Sequence, residues 1–572
     1  MHLVSSLRNI LVLIFLLVGA GNPGFAEAAS FPATHGMVTS STQYASDIGV
    51  QILKEGGNAV DAAVAVGFAL AVTHPAAGNI GGGGFMVLHL DDGTRTAIDY
   101  REEAPGKASK TMYQDEKGNV ITQLSRVGPK ASGVPGSVAG LCYALEKYGT
   151  KTLSSVLDPA IQLARDGFVV SERLAGSLNY HRDYLSQFPD TRKYYVKKDT
   201  FRAGDILKLP ALANTLELIS QKGPAVFYEG KIADQIVQTM QRMGGLISHS
   251  DLQNYSVKER TLIHGQYRGY DVYSMPPPSS GGIAVTSILG ILEPYPIGKW
   301  GHNTAKTVHF KTEAERHVYA DRNYFLGDPD FVEMPVDVLT SEPYYAYIRS
   351  LMSYQATPSE QVSHISWDAV DSLRTTLEHR ETTHFSVIDV NGNAVANTTT
   401  LNGSYGAGYS IKGAGFLMNN EMDDFSAKPG VPNMYGLIGA EANSVAPGKR
   451  MLSSMSPTIV ARNGQPVIIT GSPGGSTIIT TTAQIIMNVI DHKMSITEAV
   501  AAPRVHSQWL PDYLFYESGA LSSLAKIQLM HSGHRLYRRG TIGEANSIYI
   551  DPDSQLRVSG ADIHRGGTQA GY

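Results

Sequence analysis

The order of apolar and polar positions in the first hundred residues predicts a buried helix followed by a strand. Residues 59–72 form an apolar, alanine-rich run after the turn Gly56-Gly57-Asn58. At 14 residues this run is too short to span a membrane, so it predicts a buried helix. Four glycines at 81–84 then lead into a predicted strand at Phe85–Leu90.

Further along the chain, helix-like patterns give way to strand-like ones. Ser154–Ala164 and Lys231–Met243 are amphipathic with a helical period, and the chain around and between them looks mostly helical. Residues 264–275 have strand-like composition, and Pro276–Gly282 is predicted to be a loop. From about residue 382, β-rich runs alternate with glycine, serine and proline turns. The pattern therefore predicts layered α and β structure, with more strand in the last third.

The N-terminus has the three parts of an export signal. Arg8 gives a positive start, residues 9–20 are apolar, and Ala26-Glu27-Ala28 fits a cleavage site. We therefore predict a signal peptide over residues 1–28 and an exported mature chain, periplasmic or secreted, that begins at Ala29. An uncleaved membrane anchor is the alternative, which the shortness of the apolar run disfavours.

Composition narrows the class of protein further. Of 572 residues, 42% are hydrophobic and 17% are charged, which is enough apolar material for a large core. A net charge of −5 lacks the basic excess that nucleic-acid binding requires, so no nucleic-acid partner is expected. The only cysteine, Cys142, excludes an intramolecular disulfide and a cysteine-based zinc cluster.

Small hydroxyl side chains are most concentrated over residues 382–402, around the hairpin signal Asn391-Gly392. A two-residue loop would place Thr382 opposite a leucine. A three-residue loop with the glycine in the left-handed region instead places Thr382 opposite Thr400, with Asn402 diagonal on the same face. The alternative is that these threonines are simply good strand residues.

Four other motifs have side chains suited to holding a ligand, although each has an ordinary structural explanation. Paired serines before a proline could bind a ligand or form a turn, and a glycine turn entering an apolar helix could bind an anion or be a plain turn with a serine N-cap. Clustered acids could hold an ammonium group or a metal, or could be solvated. An arginine among acids could clamp a carboxylate or form a surface ion pair. The residues concerned are Ser453 and Ser454, Gly474 and Gly475, Glu421 and Asp424, and Arg101.

The usual signatures of other catalytic classes are missing from the sequence. There is no G-x-S-x-G elbow, no H-E-x-x-H pair and no phosphate-binding loop. The 18 histidines show no helical metal spacing paired with other ligands, so no metal site is expected.

Taken in order, these motifs resemble those of the γ-glutamyltranspeptidase family, which belongs to the N-terminal nucleophile hydrolases. The resemblance covers nearly the whole predicted mature chain. It implies an α+β fold, the αββα four-layer sandwich, in which two stacked sheets are covered by helices. The motifs that carry it are GGNAVDAAVA (56–65), GGGGFMV (81–87), SGVPGSVAG (132–140), MPPPSSGG (275–282), ADRNYFLGDPDF (320–331), TTHFSV (382–387), NNEMDDFSAKPG (419–430), LSSMSPT (452–458) and GSPGG (471–475).

The resemblance also implies that the chain is a proenzyme that cuts itself between Glu381 and Thr382. The products would be a large subunit, 29–381, and a small catalytic subunit, 382–572, which remain together as a heterodimer in one intertwined structural unit.

The family's functional residues carry over to matching positions here. Thr382 matches the nucleophile, Thr400 the threonine that supports it, and Gly474 and Gly475 the pair whose N–H groups form the oxyanion hole. Other bacterial members have glutamine where this chain has Glu421. The positions that match substrate-binding residues are Arg101, Ser453 and Ser454 for the α-carboxylate, Asn402, Glu421 and Asp424 for the α-amino group, and Tyr435 in a lid loop over residues 426–440.

The implied activity is cleavage of γ-glutamyl amides such as glutathione through an ester on Thr382. The group then passes to water or to an amino acid or dipeptide acceptor, with no metal or organic cofactor. Three other hypotheses are a glutaryl or cephalosporin acylase of the same superfamily, a periplasmic solute-binding protein, and an inactive relative. Two adjacent carboxylates, Glu421 and Asp424, favour recognition of an α-amino group over the acylase.

Overall fold

A computed structural model describes residues 32–367 and 384–572. In these residues, two large sheets stack on each other and carry helices on their outer faces. The strands are β1 Pro32–Ala33, β2 Met37–Ser40, β3 Gly83–His89, β4 Arg95–Tyr100, β5 Phe168–Val169, β6 Ile206–Leu207, β7 Lys258–Arg260, β8 Ile263–Tyr267, β9 Tyr270–Ser274, β10 Phe385–Ile388, β11 Ala394–Thr400, β12 Thr458–Arg462, β13 Gln465–Thr470, β14 Val505–His506, β15 Leu514–Tyr516, β16 Leu536–Arg538, β17 Asn546–Ile550, β18 Arg557–Ala561 and β19 Thr568–Gly571.

Helices fill most of the stretches between these strands. None of them, among the residues described, has both the length and the apolar character needed to cross a membrane. They are α1 Gln43–Lys54, α2 Ala59–Thr73, α3 Thr122–Arg126, α4 Ser137–Tyr148, α5 Leu153–Asp166, α6 Glu172–Tyr180, α7 Arg182–Ser186, α8 Pro189–Tyr195, α9 Pro210–Lys222, α10 Ala225–Tyr228, α11 Lys231–Met243, α12 His249–Asn254, α13 Gly281–Leu292, α14 Ile297–Trp300, α15 Ala305–Phe325, α16 Val336–Leu339, α17 Glu342–Leu351, α18 Thr477–Ile490, α19 Ile496–Ala501 and α20 Ser523–His531.

Each large sheet is antiparallel and combines strands from distant parts of the sequence. The first sheet has the order β19-β2-β10-β11-β3-β4-β7, and the second has the order β1-β18-β17-β13-β12-β9-β8. Two small sheets, β14-β15-β16 and β5-β6, lie outside them. In both large sheets, strands that precede residue 367 alternate in groups with strands that follow residue 384.

Three apolar cores show how the layers stack. Side chains of the first sheet, such as Phe85 and Val87, pack against Ile459 and Ile469 of the second sheet. A separate core joins the other face of the first sheet to helices that include α2 and α4. A third core joins the second sheet to helices that include α13, α15 and α18. The layers are therefore helix, sheet, sheet, helix, and the predicted αββα sandwich is confirmed.

The alanine-rich helix α2 fits against the first sheet because its side chains are small and apolar. Every residue from Ala59 to Thr73 is buried. Asn58 caps its first turn by accepting from the N–H of Asp61 at 3.0 Å, and the Asp61 carboxylate accepts from the N–H and hydroxyl of Thr150 at 2.8 and 2.7 Å. A helix that is apolar on all sides is buried on all sides, as the sequence predicted.

The hairpin of β10 and β11 has the register of a three-residue loop. Phe385 pairs with Asn397 and Ile388 with Ala394, while Gly392 adopts φ +90°. The N–H of Asp389 donates to the carbonyl of Asn393 at 3.1 Å, which closes the loop. The predicted register is confirmed for the described pairs; Glu381, Thr382 and the predicted signal peptide 1–28 lie outside the described residues.

Residues 264–275 do not form one strand. They form the hairpin of β8 and β9, which turns at Arg268-Gly269 with φ +52° and +78°. The loop predicted over 276–282 is also shorter than expected, because α13 begins at Gly281. The sequence Arg268-Gly269 is not one of the common two-residue hairpin turns such as Asn-Gly, so composition alone did not indicate a turn here.

Helix α15 was not predicted, and its charged residues explain why. Lys311, Glu315 and Arg316 are all buried in it, so no polar face separates from an apolar one. Arg316 donates to Glu313 at 3.0 Å and to Asp512 at 2.9 Å. The buried charges are thus paired, partly with residues far along the chain, and the pattern of a helix is hidden in the sequence.

Asp389 ties the β10–β11 hairpin to helix α2. Its carboxylate accepts from the backbone N–H groups of Asn391, Asn393 and Ala59 at 2.9 to 3.0 Å, and from the Asn393 amide at 2.7 Å. Asp389→Ala leaves these donors unpaired, and we expect it to lower the free energy of unfolding by about 2–4 kcal/mol in urea denaturation. Asp92→Ala, in an exposed turn, is the control and should cost under about 1 kcal/mol. Equal urea midpoints for the two variants would contradict this account.

Candidate active site

One cavity of about 360 Å³ collects most of the residues that the sequence indicated. It lies where the end of β11 meets the glycine turn before α18 and the one-turn helix Glu421–Asp424. The predicted site residues that line it are Thr400, Asn402, Glu421, Asp424, Tyr435, Ser453, Ser454, Gly474 and Gly475. His384, two positions after Thr382 in the sequence, also lines it.

Thr400 is held rigidly at the end of β11. Its hydroxyl accepts from the N–H of Asn402 at 2.7 Å, and its carbonyl accepts from the Asn79 amide at 2.7 Å. The backbone of Gly82 passes so close that a Cβ there would lie 2.0 Å from the Thr400 carbonyl oxygen. Glycine at position 82 therefore lets β11 end at the cavity wall.

The turn Gly474-Gly475 lines the cavity. The two residues have φ +136° and +57°, a conformation that glycine adopts at little cost. Among the residues described, neither N–H has a hydrogen-bond acceptor. The turn leads directly into α18, and Ser476 does not cap this helix but donates its hydroxyl to Gln508 at 2.6 Å. Two unpaired N–H groups beside a helix N-terminus form a place for a negative oxygen.

Three carboxylates surround one arginine behind the part of the cavity wall that Glu421 and Asp424 form. Arg101 is fully buried; it pairs with Glu421 through Nη1 and with Asp424 through Nη2, the latter at 2.7 Å. Its Nη1 also lies 3.6 Å from Glu102. Arg101 is not on the cavity wall, whereas Glu421 and Asp424 are. In the described chain, Oε2 of Glu421 is buried without a hydrogen-bond partner.

Burial raises the pKa values of these carboxyl groups, and repulsion between neighbouring carboxylates adds to the effect. Burial raises the pKa of Glu102 to about 7, although Arg101 acts in the opposite direction. Burial also raises the pKa of Glu421 well above its usual value, and that of Asp424 is raised for the same reason. One guanidinium cannot neutralise three buried carboxylates, so the cluster favours binding a proton or a further cation.

Ser453 and Ser454 approach the cavity from a different side. Arg322 of α15 donates to the hydroxyl of Ser454 at 3.0 Å and to that of Ser280 at 3.0 Å. Arg322 itself lines the cavity. The paired serines therefore lie beside a positive charge, which suits a bound carboxylate.

Tyr435 connects the 426–440 loop to two other parts of the site. Its hydroxyl donates to the carbonyl of Asn402 at 2.7 Å. Its ring covers Gly475, where a Cβ would come within 2.4 Å of a ring carbon. Tyr435 can occupy this position only because residue 475 is glycine.

Comparison with known proteins shows the family to which this chain belongs. The family model described as gamma-glutamyltranspeptidase matches residues 45–572. The chain belongs to the γ-glutamyltranspeptidase family. The family that the motifs predicted is thereby confirmed, and the chain is an enzyme of the N-terminal nucleophile hydrolase type.

Three known proteins show how far the similarity extends. The glutathione hydrolase proenzyme of Escherichia coli strain K12 is 49% identical over 92% of this chain and 90% of its own length. The acylase ACY 1 proenzyme of Pseudomonas sp. strain SE83 is 38% identical over 91% of both. The crystal structure of a cephalosporin acylase from Bacillus halodurans superimposes with a TM-score of 0.85 at 25% identity, covering 97% of this chain and 98% of that one.

Several residues on the cavity wall were not singled out from the sequence. They are His384, Arg322, Arg173 and Glu544. His384 and Arg322 lie in motifs that carried the family resemblance, which was the available signal. Arg173 and Glu544 lie in no such motif, and they form an ion pair across 371 positions of sequence.

No group of three metal-ligating side chains (His, Cys, Asp or Glu) is found in residues 32–367 or 384–572. Cys142 is buried in α4, and burial raises the pKa of its thiol to about 12. A thiol with this pKa is not a nucleophile at neutral pH.

The pH dependence of stability in a Glu102 variant tests the electrostatics of the acidic cluster. Because the pKa of Glu102 is raised from 4.5 to about 7 on folding, the folded state binds the proton more tightly, and wild-type stability falls as pH rises through this window. Glu102→Gln removes this penalty. We expect the variant to gain about 2 kcal/mol over wild type in urea unfolding at pH 8 and much less at pH 4.5. Glu116→Gln, at an exposed site, is the control with no such trend; a variant that is less stable than wild type at pH 8 would refute the account.

Proposed function

We propose that this enzyme cleaves the γ-glutamyl amide bond of glutathione and related compounds, with Thr382 as nucleophile, and transfers the γ-glutamyl group to water, amino acids or dipeptides. One observation carries the proposal. A single cavity combines the supporting hydroxyl of Thr400, the unpaired N–H groups of Gly474 and Gly475, and the carboxylates Glu421 and Asp424. These are the groups needed to activate a hydroxyl, to stabilise an oxyanion and to hold an α-ammonium group.

The nucleophile would be created by cleavage of the chain between Glu381 and Thr382. A threonine hydroxyl is a poor nucleophile until a base accepts its proton. An α-amino group has a reference pKa of about 7.7–8.0, close to neutral pH, and it becomes available only when Thr382 is the first residue of a chain. Cleavage thus supplies the base, and the same hydroxyl would attack the preceding carbonyl carbon during maturation.

The catalytic cycle has two halves. Thr382 Oγ attacks the γ-carbonyl carbon while its proton passes to the α-amino group, and the N–H groups of Gly474 and Gly475 hold the oxyanion. The C–N bond breaks, the leaving amine takes the proton, and an ester to Thr382 remains. Water or an acceptor amine then attacks the ester carbon, the C–O bond breaks, and Thr382 regains its proton. Thr400 supports the hydroxyl in both halves.

The acidic cluster supports recognition of the α-amino group. The substrate ammonium would bring a second cation to three carboxylates that share one arginine, with the unpaired oxygen of Glu421 as an acceptor and Asn402 beside it. Ser453 and Ser454, backed by Arg322, would receive the α-carboxylate. The resemblance matches Arg101 to the α-carboxylate, but Arg101 is not on the cavity wall and pairs with Glu421 and Asp424, so it would hold these two carboxylates in place. Tyr435 would cover the bound group as part of a lid over 426–440.

The acidic cluster also bears on the acylase hypothesis. A glutaryl side chain has no ammonium group, so binding it would leave the carboxylates of Glu421 and Asp424 without a compensating cation. A γ-glutamyl group has that cation. The cluster therefore favours the γ-glutamyl substrate.

The proposal includes the fate of the whole chain. Residues 1–28 would be removed on export to the periplasm or the medium. The remainder would form a large subunit of 353 residues, 29–381, and a small subunit of 191 residues, 382–572, in a heterodimer.

Self-cleavage gives the most direct test. Wild type should give two bands on denaturing electrophoresis and release 4-nitroaniline from a γ-glutamyl anilide, whereas Thr382→Ala should give one band and no release, because it has no hydroxyl to attack either carbonyl. Thr383→Ala, the neighbouring threonine, is the matched control and should still be cut. A wild-type protein that stays whole and inactive would refute the proposal.

The supporting role of Thr400 gives a second test. Thr400→Val keeps the shape of the side chain but removes the hydroxyl, so kcat for the anilide should fall by about ten- to a hundredfold with a smaller change in KM. Thr398→Val is the control on the same face of β11, because the Thr398 hydroxyl is buried without a partner in the described chain. Equal kcat losses in the two variants would argue against a specific role for Thr400.

A further inference from the structure

An ion pair on the cavity wall is not used by the proposed mechanism. Arg173, at the start of α6, pairs with Glu544, just before β17, through Nη2 and Oε2 at 2.5 Å. Both residues line the same cavity as Thr400 and Gly474. The pair can therefore contact a ligand that is bound in this cavity.

Arg173 is half exposed but held in place. Its side chain is 46% exposed, so the guanidinium can meet a ligand without a large desolvation cost. The backbone of Gly566 lies against it, and a Cβ there would come within 1.8 Å of Nη1. Burial, together with the charge of Arg173, lowers the pKa of the neighbouring His74 to about 3, so this histidine adds no second positive charge. Among Arg173, Glu544 and His74, the guanidinium of Arg173 therefore carries the positive charge.

Glu544 lies next to the turn Gly474-Gly475. The Cα of Gly543 lies 3.4 Å from where a Cβ of Gly474 would be, and the N–H of Glu544 donates to the Ser472 hydroxyl at 2.9 Å. The Glu544 side chain is 8% exposed, and its Oε1 has no donor in normal hydrogen-bond geometry among the residues described. Burial raises the pKa of this carboxyl group, while Arg173 and the Ser41 hydroxyl act to lower it. A buried, unpaired carboxylate oxygen is costly unless a ligand donates to it.

We propose that Arg173 and Glu544 form the subsite for the aminoacyl part of the reaction: Arg173 binds the carboxylate of the leaving or accepting amino acid or short peptide, and the unpaired oxygen of Glu544 binds its ammonium group. A zwitterion fits an arginine–glutamate pair because each of its charges meets the opposite one. A leaving peptide still joined by its amide has only the carboxylate, so it uses Arg173 alone. The inference rests on the proposed function and adds the binding site of the second substrate.

The donor side is tested by comparing two donors in Arg173→Gln. Glutathione carries a carboxylate on its leaving group, whereas γ-glutamyl-4-nitroanilide does not. We expect the ratio of kcat/KM for glutathione to kcat/KM for the anilide to fall by about tenfold relative to wild type, with partial recovery in Arg173→Lys. Arg165→Gln removes an exposed arginine from another Arg–Glu pair, at 2.7 Å, and should leave the ratio at the wild-type value.

The acceptor side is tested with glycylglycine and glycylglycinamide, which differ only in the terminal carboxylate. Wild type should have the lower KM for glycylglycine, and Arg173→Gln should lose most of this preference. Glu544→Gln should raise KM for both acceptors by about tenfold, because each carries the ammonium group.

The outcomes separate the inference from the proposed function. If both variants keep the wild-type donor ratio and acceptor KM values while the anilide is still cleaved, the subsite is refuted and the proposed function stands. If wild-type protein neither cuts itself nor releases 4-nitroaniline, the proposed function fails and the subsite with it. Should Arg173→Gln give no folded protein, the acceptor KM of Glu544→Gln decides by itself.

Discussion

The register of the β10–β11 hairpin is the constraint on which the site depends. The hairpin lies in the middle of the first sheet, with β2 on one side and β3 on the other. Its loop is fixed by Asp389 and by the left-handed Gly392, so a slip of one residue would turn every side chain to the opposite face. Thr400 reaches the cavity because seven successive pairs with β3, ending at Gly83, hold β11 in place.

Around this hairpin, the site is built from charges that only partly balance. Arg101 cannot neutralise Glu102, Glu421 and Asp424 together, and the cluster is kept from solvent. Such an arrangement costs stability in the empty enzyme, and a bound cation relieves it. In the proposed function, the same imbalance would select a substrate that carries an ammonium group.

The parts of the fold that could be predicted were those set by local signals. The alanine-rich α2 and the Asn391-Gly392 hairpin carry their information within a few residues, and the motifs led to the family and to nine residues of the cavity wall. Helix α15 could not be predicted because its buried charges pair with partners such as Asp512. Arg173 and Glu544 were missed for a related reason: each is an ordinary charged residue until the fold brings them together.

The interleaving of strands determines whether the two chains could separate after cleavage. In the first sheet, β10 and β11 lie between β2 and β3, and in the second, the strands β18, β17, β13 and β12 lie between β1 and β9. Two chains cut before β10 could not separate without breaking backbone hydrogen bonds in both sheets. Dissociation would therefore be the same event as unfolding, and mixed pairs could not form by exchange between finished molecules. Each molecule would keep for its lifetime the two chains with which it was made.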